Sequence, residues 1–449
     1  MPTLEFKGKQ FVHSHHLSVP FRQLVVDKDK SLSEKPSLDD NLIIHGDNLH
    51  ALKALLPQYA GNVDCIFIDP PYNTGNEGWC YNDNVNSPLI REWLKKSANP
   101  VDKEDLERHD KWLSMMLPRL KLLRELLSES GSIWITLDDN EIHRLRQLMD
   151  DVFGEENFVA CCVWEKTYTP KSNGSVVSTD HDYVLCYQKT SDFTSFGWNY
   201  LDRNEEQKGR FRKSDDEDLP WRTYPLDVRT ENSARREKYR YEVTLPSGRV
   251  VKPAQERHWA LPEAEFYRQR DAGEIYFGKT GDAMPSKKVF LDPEDDKGVI
   301  ARSWWTYKEV KGNQDSKRDL LSITGGDTDF ITPKPKELIQ RILDIATHEE
   351  SIILDSFAGS GTTAHAVLAT NAKDNGRRHF ILVECEDYAE TLTANRVRKV
   401  IEGYNFKGRL KEELYSINLT WSAFEKKHEK ILEQISAIES SRAADFEKM

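Results

Sequence analysis

Residues 355–363 read Asp-Ser-Phe-Ala-Gly-Ser-Gly-Thr-Thr, directly after the apolar run 352–354 and at the head of a helical pattern over 362–369. Gly359 and Gly361 permit a tight turn and close backbone approach, and the helix that follows offers unpaired N–H groups and its positive end. Strand, glycine turn and helix in that order form the cofactor-binding unit of an open parallel sheet. Gly359, Gly361 and Ala364 also satisfy GxGxxA, and Glu384 closes the next apolar run, so a dinucleotide has to be weighed. Asp355 decides between the two cofactors. A carboxylate at the first strand's end suits the methionine ammonium of S-adenosylmethionine and repels a pyrophosphate. Glu384 suits either cofactor, since both carry ribose hydroxyls. Asp355, Gly359, Gly361, Thr362 and Glu384 are therefore the expected cofactor residues.

The remaining pattern supplies a sheet for this turn. Strands are expected at 41–45, 63–68 and 132–137, with helices at 49–56, 111–129 (stopped by Gly131) and 141–153, the last capped by Asp138-Asp139-Asn140. Two more strands follow at 158–164 and 183–188. Periodicity fades between 190 and 331, where charged, aromatic-rich sequence carries only short strand candidates such as YEVTLP and EIYFG. It returns as helix 335–346, strand 352–354, helix 362–369, strand 380–383 and helix 388–401. Such alternation predicts an α/β fold, a doubly wound and mostly parallel sheet interrupted by an insertion. The expected divisions are a leader at 1–40, core at 41–189, an inserted domain at 190–331, core again at 332–404, and a tail at 405–449. In that tail Leu410, Leu414, Ile417, Phe424, Ile431, Leu432, Ile435 and Ile438 recur largely at three, four or seven residues, which predicts a helix that packs on the core or a second copy.

A second motif lies at the end of the 63–68 strand. Asp69-Pro70-Pro71-Tyr72 cannot continue a central ladder, so it sits beyond the strand's carboxyl end, where open parallel sheets place ligands. An aromatic amine is a poor nucleophile because its lone pair is delocalised into the ring. The Asp69 carboxylate and the Pro70 carbonyl can each accept one of its protons, favouring a tetrahedral nitrogen whose lone pair points at a methyl donor. Tyr72, displayed by the stiff Pro70-Pro71 pair, can stack on the base. No Pro-Cys dipeptide occurs, so a covalent thiolate route to a ring carbon has no obvious nucleophile.

DPPYNTG at 69–75, preceding DSFAGSGTT at 355–363, resembles the beta-class amino DNA methyltransferases, especially the modification subunits of type III restriction systems. The resemblance spans most of 40–165 and 332–402. It implies a circularly permuted methyltransferase fold with the target-recognition domain between the two motifs. It further implies N6 of adenine as target, double-stranded DNA as substrate, a dimer, and a restriction subunit as partner. Asp47 in HGDN would lie near the cofactor adenine, Phe357 would line the cofactor pocket, and Lys334 in TPKP would sit near the methionine end. From the residues alone, N4 of cytosine stays open, as does a catalytically silent DNA-binding protein of the same fold.

The chain's 449 residues carry a net charge of −12, which argues against unspecific nucleic-acid affinity and leaves room for a local basic face. Arg235, Arg236, Lys238 and Arg240, Lys287 and Lys288, and Lys308 and Lys311 are the candidate DNA contacts; aromatics including Trp304-Trp305 interleave with them, and acidic residues at 215–218 dilute the cluster. No apolar run reaches the roughly 20 residues that span a bilayer, and the N-terminus lacks the pattern of a signal peptide. The six cysteines show no CxxC spacing, so no metal is expected and the cytoplasm is the expected compartment.

Overall fold

The computed structural model describes residues 3–404 apart from 76–78, 80–82, 84–91, 93–100, 102–104, 106, 170–175, 212–218, 293–295 and 327, together with 432 and 435–437. The helix expected over 410–449 otherwise lies outside the described residues. Among the described residues eight strands form the main sheet: β1 (Leu42–His45), β2 (Val63–Ile68), β3 (Leu127–Leu137), β4 (Phe158–Glu165), β5 (His181–Gln188), β6 (Trp304–Trp305), β7 (Ile352–Asp355) and β8 (His379–Glu384). Their spatial order is β1-β8-β7-β2-β3-β5-β4-β6. All neighbours are parallel except at β5, which is antiparallel to both β3 and β4. This is the doubly wound, mostly parallel α/β sheet expected from the sequence.

The central strands are apolar because both of their faces are covered. Ile66, Ile353, Leu354 and Leu382 are fully buried. Each contributes roughly 1.5–3 kcal/mol relative to an exposed side chain. From β7 the chain moves to β8 on one side, whereas from β2 it moves to β3 on the other. The carboxyl ends of β7 and β2, paired at Leu354 and Ile66, therefore flank the point where strand order reverses. A crevice opens at such a point.

Three details depart from the sequence reading. The long helix is Arg108–Leu126, and β3 begins at once with Leu127, so Gly131 does not stop the helix. A Cβ at Gly131 would lie 2.9 Å from the Asp64 carbonyl oxygen, so glycine is needed there for close strand packing. The helix Ile142–Phe153 has no side-chain cap from 138–140, its N-cap residue being Glu141; Asp138 accepts from the Asn140 N–H instead.

The third departure concerns the insertion. Trp304–Trp305, placed there by composition, forms the edge strand β6 of the main sheet, with Trp305 fully buried and stacked 6.2 Å from Trp134. The helix Asn313–Thr324 likewise packs on the helix Asn395–Glu402. A separate core remains between them. Leu226, Val243, Leu245, Val251, Trp259, Phe266, Ile275 and Phe277 cluster among short strands that include Trp221–Pro225 and Ser286–Phe290. Among the described residues no helix is long and apolar enough to cross a membrane.

Candidate functional site

The connection from β7 to the next helix makes the turn that the glycines suggested. Gly359 and Gly361 have φ of +51° and +76°, a region costly for other residues. A Cβ on Gly361 would lie 3.1 Å from the Thr393 carbonyl oxygen, and one on Gly359 would meet the Phe330 ring at 3.2 Å. Asp355 is buried at the strand end, where its Oδ1 accepts from the Phe357 N–H at 3.0 Å and its Oδ2 from the Thr363 hydroxyl at 2.5 Å. Burial pushes the carboxyl up to about 7 against those two hydrogen bonds, and the charges of Asp69 and Glu384 push the same way. Glu384 is buried too and holds the turn. Its carboxylate accepts the N–H groups of Gly359 (2.7 Å), Cys385 (2.8 Å) and Glu386 (3.1 Å). That uses three of a carboxylate's roughly four acceptor sites.

The donor set can be tested for a ligand. The described residues form no ion pair to Asp355, and the buried Ser356 Oγ beside it has no hydrogen-bond partner. Two buried acids and an unpartnered hydroxyl suit a group that brings a cation and hydroxyls, and they fit S-adenosylmethionine on that count. Thr362 differs from expectation: its hydroxyl takes a 2.7 Å hydrogen bond from Arg396, so its side chain braces the turn. Phe357 is half-buried and packs against the main core. Asp47 caps the helix Asn48–Tyr59 by accepting the N–H groups of Leu49 and His50. It nonetheless stands at the rim, since His45 pairs in register with Glu384 and Gly46 N–H binds the Glu384 carbonyl.

Asp69 emerges from β2 beside this turn. The Thr136 hydroxyl, from β3, donates to its Oδ1 at 2.6 Å, and Lys334 Nζ donates to its Oδ2 at 2.6 Å. Lys334, expected at the cofactor's methionine end, reaches the amine motif and lies 4.9 Å from the Tyr72 ring centroid. The Tyr72 hydroxyl approaches Asp182 Oδ2 at 3.5 Å, and Asp182 Oδ1 is paired with Lys166 at 2.6 Å. Burial raises Asp182 to about 6, and burial together with Asp69 and Asp182 raises the Tyr72 phenol well above its usual value. The Pro71 carbonyl is fixed by the Trp112 indole N–H at 2.7 Å, while Pro70 is buried.

Several supporting residues were not read from the sequence. Asn73 turns the chain after Tyr72 with φ of +60°, and its Nδ2 donates to the buried Glu141 at 2.5 Å. Burial raises Glu141 to about 7. Asn48 Nδ2 donates to the Ser356 carbonyl at 2.9 Å, and its Oδ1 accepts from Arg119. Thr136 and Asp182 had a signal, each being a polar residue in or at the edge of an apolar strand. Asn73 had only its place in the DPPYNTG stretch, and Phe330 had none.

The candidate DNA contacts are less uniform. Arg235, Arg236 and Lys238 sit on the short helix Ser233–Lys238, with Arg235 and Lys238 exposed near the Tyr239 ring. Arg240 is half-buried and donates to the Pro253 carbonyl. Lys287 and Lys288 lie on the strand Ser286–Phe290, where Lys288 Nζ is 5.0 Å from the Trp221 ring centroid.

Comparison with known proteins finds relatives among DNA methyltransferases. The family described as DNA methylase matches residues 63–395. The StyLTI Mod subunit of a type III restriction-modification enzyme from Salmonella typhimurium is 34% identical over 90% of this chain and 60% of its own length. The corresponding EcoPI Mod subunit of Escherichia phage P1 is 30% identical over 86% of this chain and 64% of its own. The type II methyltransferase M.KpnI of Klebsiella pneumoniae is 32% identical, covering 80% of this chain and 84% of that protein. The chain thus spans under two thirds of the first two relatives.

Proposed function

The chain belongs to the DNA methylase family, and on that premise we propose that it transfers a methyl group from S-adenosylmethionine to the N6 amine of adenine in double-stranded DNA. The observation that carries this reading is the meeting of two sequence-distant acids, Asp69 and Asp355, at the ends of paired strands β2 and β7. One acid suits an amine to be methylated and the other suits an ammonium.

When bound, S-adenosylmethionine supplies an electrophilic methyl group on a sulfonium. Asp355 would accept from the ammonium, Glu384 and Asp47 would hold the nucleoside part, and Gly359 and Gly361 would let the backbone approach. Phe357 lines that side. The base leaves the duplex and stacks on Tyr72. Asp69 and the Pro70 carbonyl would each accept a hydrogen bond from one amine N–H, turning the nitrogen lone pair toward the methyl donor. As the N–C bond forms the sulfur–methyl bond breaks, with S-adenosylhomocysteine as the leaving group; the Asp69 carboxylate would stabilise the positive charge that develops on nitrogen, and the product amine then loses one proton to solvent. Arg235, Arg236, Lys238, Arg240, Lys287 and Lys288 provide phosphate contacts from the inserted module.

This activity is that of a modification component in a restriction-modification system, acting beside a restriction subunit. A second copy binds through the tail, so deleting residues 409–449 lowers the mass seen by light scattering from dimer to monomer. The primary test is transfer of labelled methyl groups to genomic DNA, with RNA and protein as competing acceptors, followed by chromatography of the digested nucleosides. Label in N6-methyladenine supports the reading. Label in N4-methylcytosine corrects the base, and label in RNA or protein alone, or none, overturns it.

A further inference from the structure

Lys334 occupies one of the contacts on Asp69 that the target amine can use. Its ammonium lies 2.6 Å from Asp69 Oδ2 and 4.9 Å from the Tyr72 ring centroid, while the other Asp69 oxygen is committed to Thr136. The pair is largely sheltered, with side-chain exposures of 10% for Lys334 and 25% for Asp69. A base amine is neutral, so in exchange for Lys334 the carboxylate keeps a hydrogen bond but loses the Coulomb attraction of a full charge in a sheltered site. An entering base therefore does not displace Lys334 unaided. The ammonium needs another anion to move to.

Building on the methyltransferase reading, we propose that Lys334 is a displaceable occupant of the amine site, withdrawn from Asp69 by the carboxylate of the cofactor's amino-acid end. That carboxylate enters a crevice lined by Asp355, Asp69 and Glu384, whose charges already repel one another. It requires a cation, and Lys334, on a flexible stem of four methylenes, is already paired with one of these acids. Cofactor binding then exposes Asp69, so the base is accepted after the cofactor and not before it. Lys334 is a positioning residue in this scheme, because it acts by holding and releasing Asp69.

The test reads binding by calorimetry and needs no DNA. Two probes are compared: S-adenosylhomocysteine, which carries the carboxylate, and 5′-methylthioadenosine, which lacks it. In Asp69→Asn no ion pair has to be broken, so S-adenosylhomocysteine binds about tenfold more tightly than to the wild type, the worth of one charge-assisted hydrogen bond. Lys334→Gln weakens the same probe by about as much. Binding of 5′-methylthioadenosine changes in neither variant, and thermal melting checks that both are folded. Equal affinity of Asp69→Asn and wild type for S-adenosylhomocysteine overturns the proposal while the parent reading stands. A wild-type protein that binds neither probe overturns both.

Discussion

Asp69 and Asp355 stand at the ends of neighbouring strands in different surroundings, and their substitutions separate accordingly. Asp355 is buried, whereas Asp69 keeps a quarter of its side chain in contact with solvent and an ammonium on one oxygen. Asp69→Ala is expected to abolish methyl transfer without loss of affinity for S-adenosylhomocysteine; an equal loss of both would show that the roles are reversed. Asp355→Asn is expected to weaken the cofactor roughly tenfold to hundredfold, the range of one hydrogen bond to a charged group. The wild-type protein's affinity for the cofactor should also depend on pH. With the free carboxyl raised to about 7, the unliganded protein holds a proton there at lower pH, and an incoming ammonium must expel it. Cofactor affinity therefore falls by about tenfold per unit as pH drops below 7 and levels off above it. Calorimetry between pH 5.5 and 8.5 shows this for the wild type, while Asp355→Asn gives a flat profile. At this scale the acids were legible from the sequence because each ends an apolar run. The partner of Asp69 was not, since Lys334 lies 265 positions away and only the assembled sheet brings them together.

At the scale of elements, runs such as Val63–Ile68 and His379–Glu384 were readable because strands buried on both faces carry continuous apolar sequence. Trp304–Trp305 was not readable. Two residues carry no period, and their membership of the sheet comes from pairing with Val163 and Trp164 far away in sequence. The same limit explains Leu127–Gly131, where the polar stretch Ser128-Glu129-Ser130 hides the start of a strand. A direct check on β6 is Trp305→Ala. Trp305 is 1% exposed and stacks on Trp134, so truncation should cost about 3–5 kcal/mol of the main unfolding transition in denaturant. If the loss appeared only in a separate, minor transition, β6 would belong to the inserted module.

For the whole molecule, a net charge of −12 means that any attraction to DNA comes from local clusters. Replacing Arg235, Arg236 and Lys238 together by Ala should weaken DNA binding similarly on every sequence. It should also flatten the salt dependence by about one unit of log–log slope for each phosphate that is no longer neutralised. Cofactor affinity should not change, and an unaltered salt slope would remove these residues from the DNA surface. The inserted module's boundaries were only partly legible, because charged sequence looks alike whether it covers a small core of its own or the flank of the main sheet. The central position of β7 has one more consequence, in biogenesis. Asp64 on β2 accepts the N–H of Ile352 on β7 across 288 residues of chain. During synthesis at about 5–20 residues per second, β2 therefore waits roughly 15–60 s for its inner neighbour. Throughout that interval the growing chain presents an unpaired apolar strand edge, a template for wrong pairing. The cofactor cannot rescue it, because the turn that would bind cofactor is made later still; protection falls to whatever shields the chain as it leaves the ribosome.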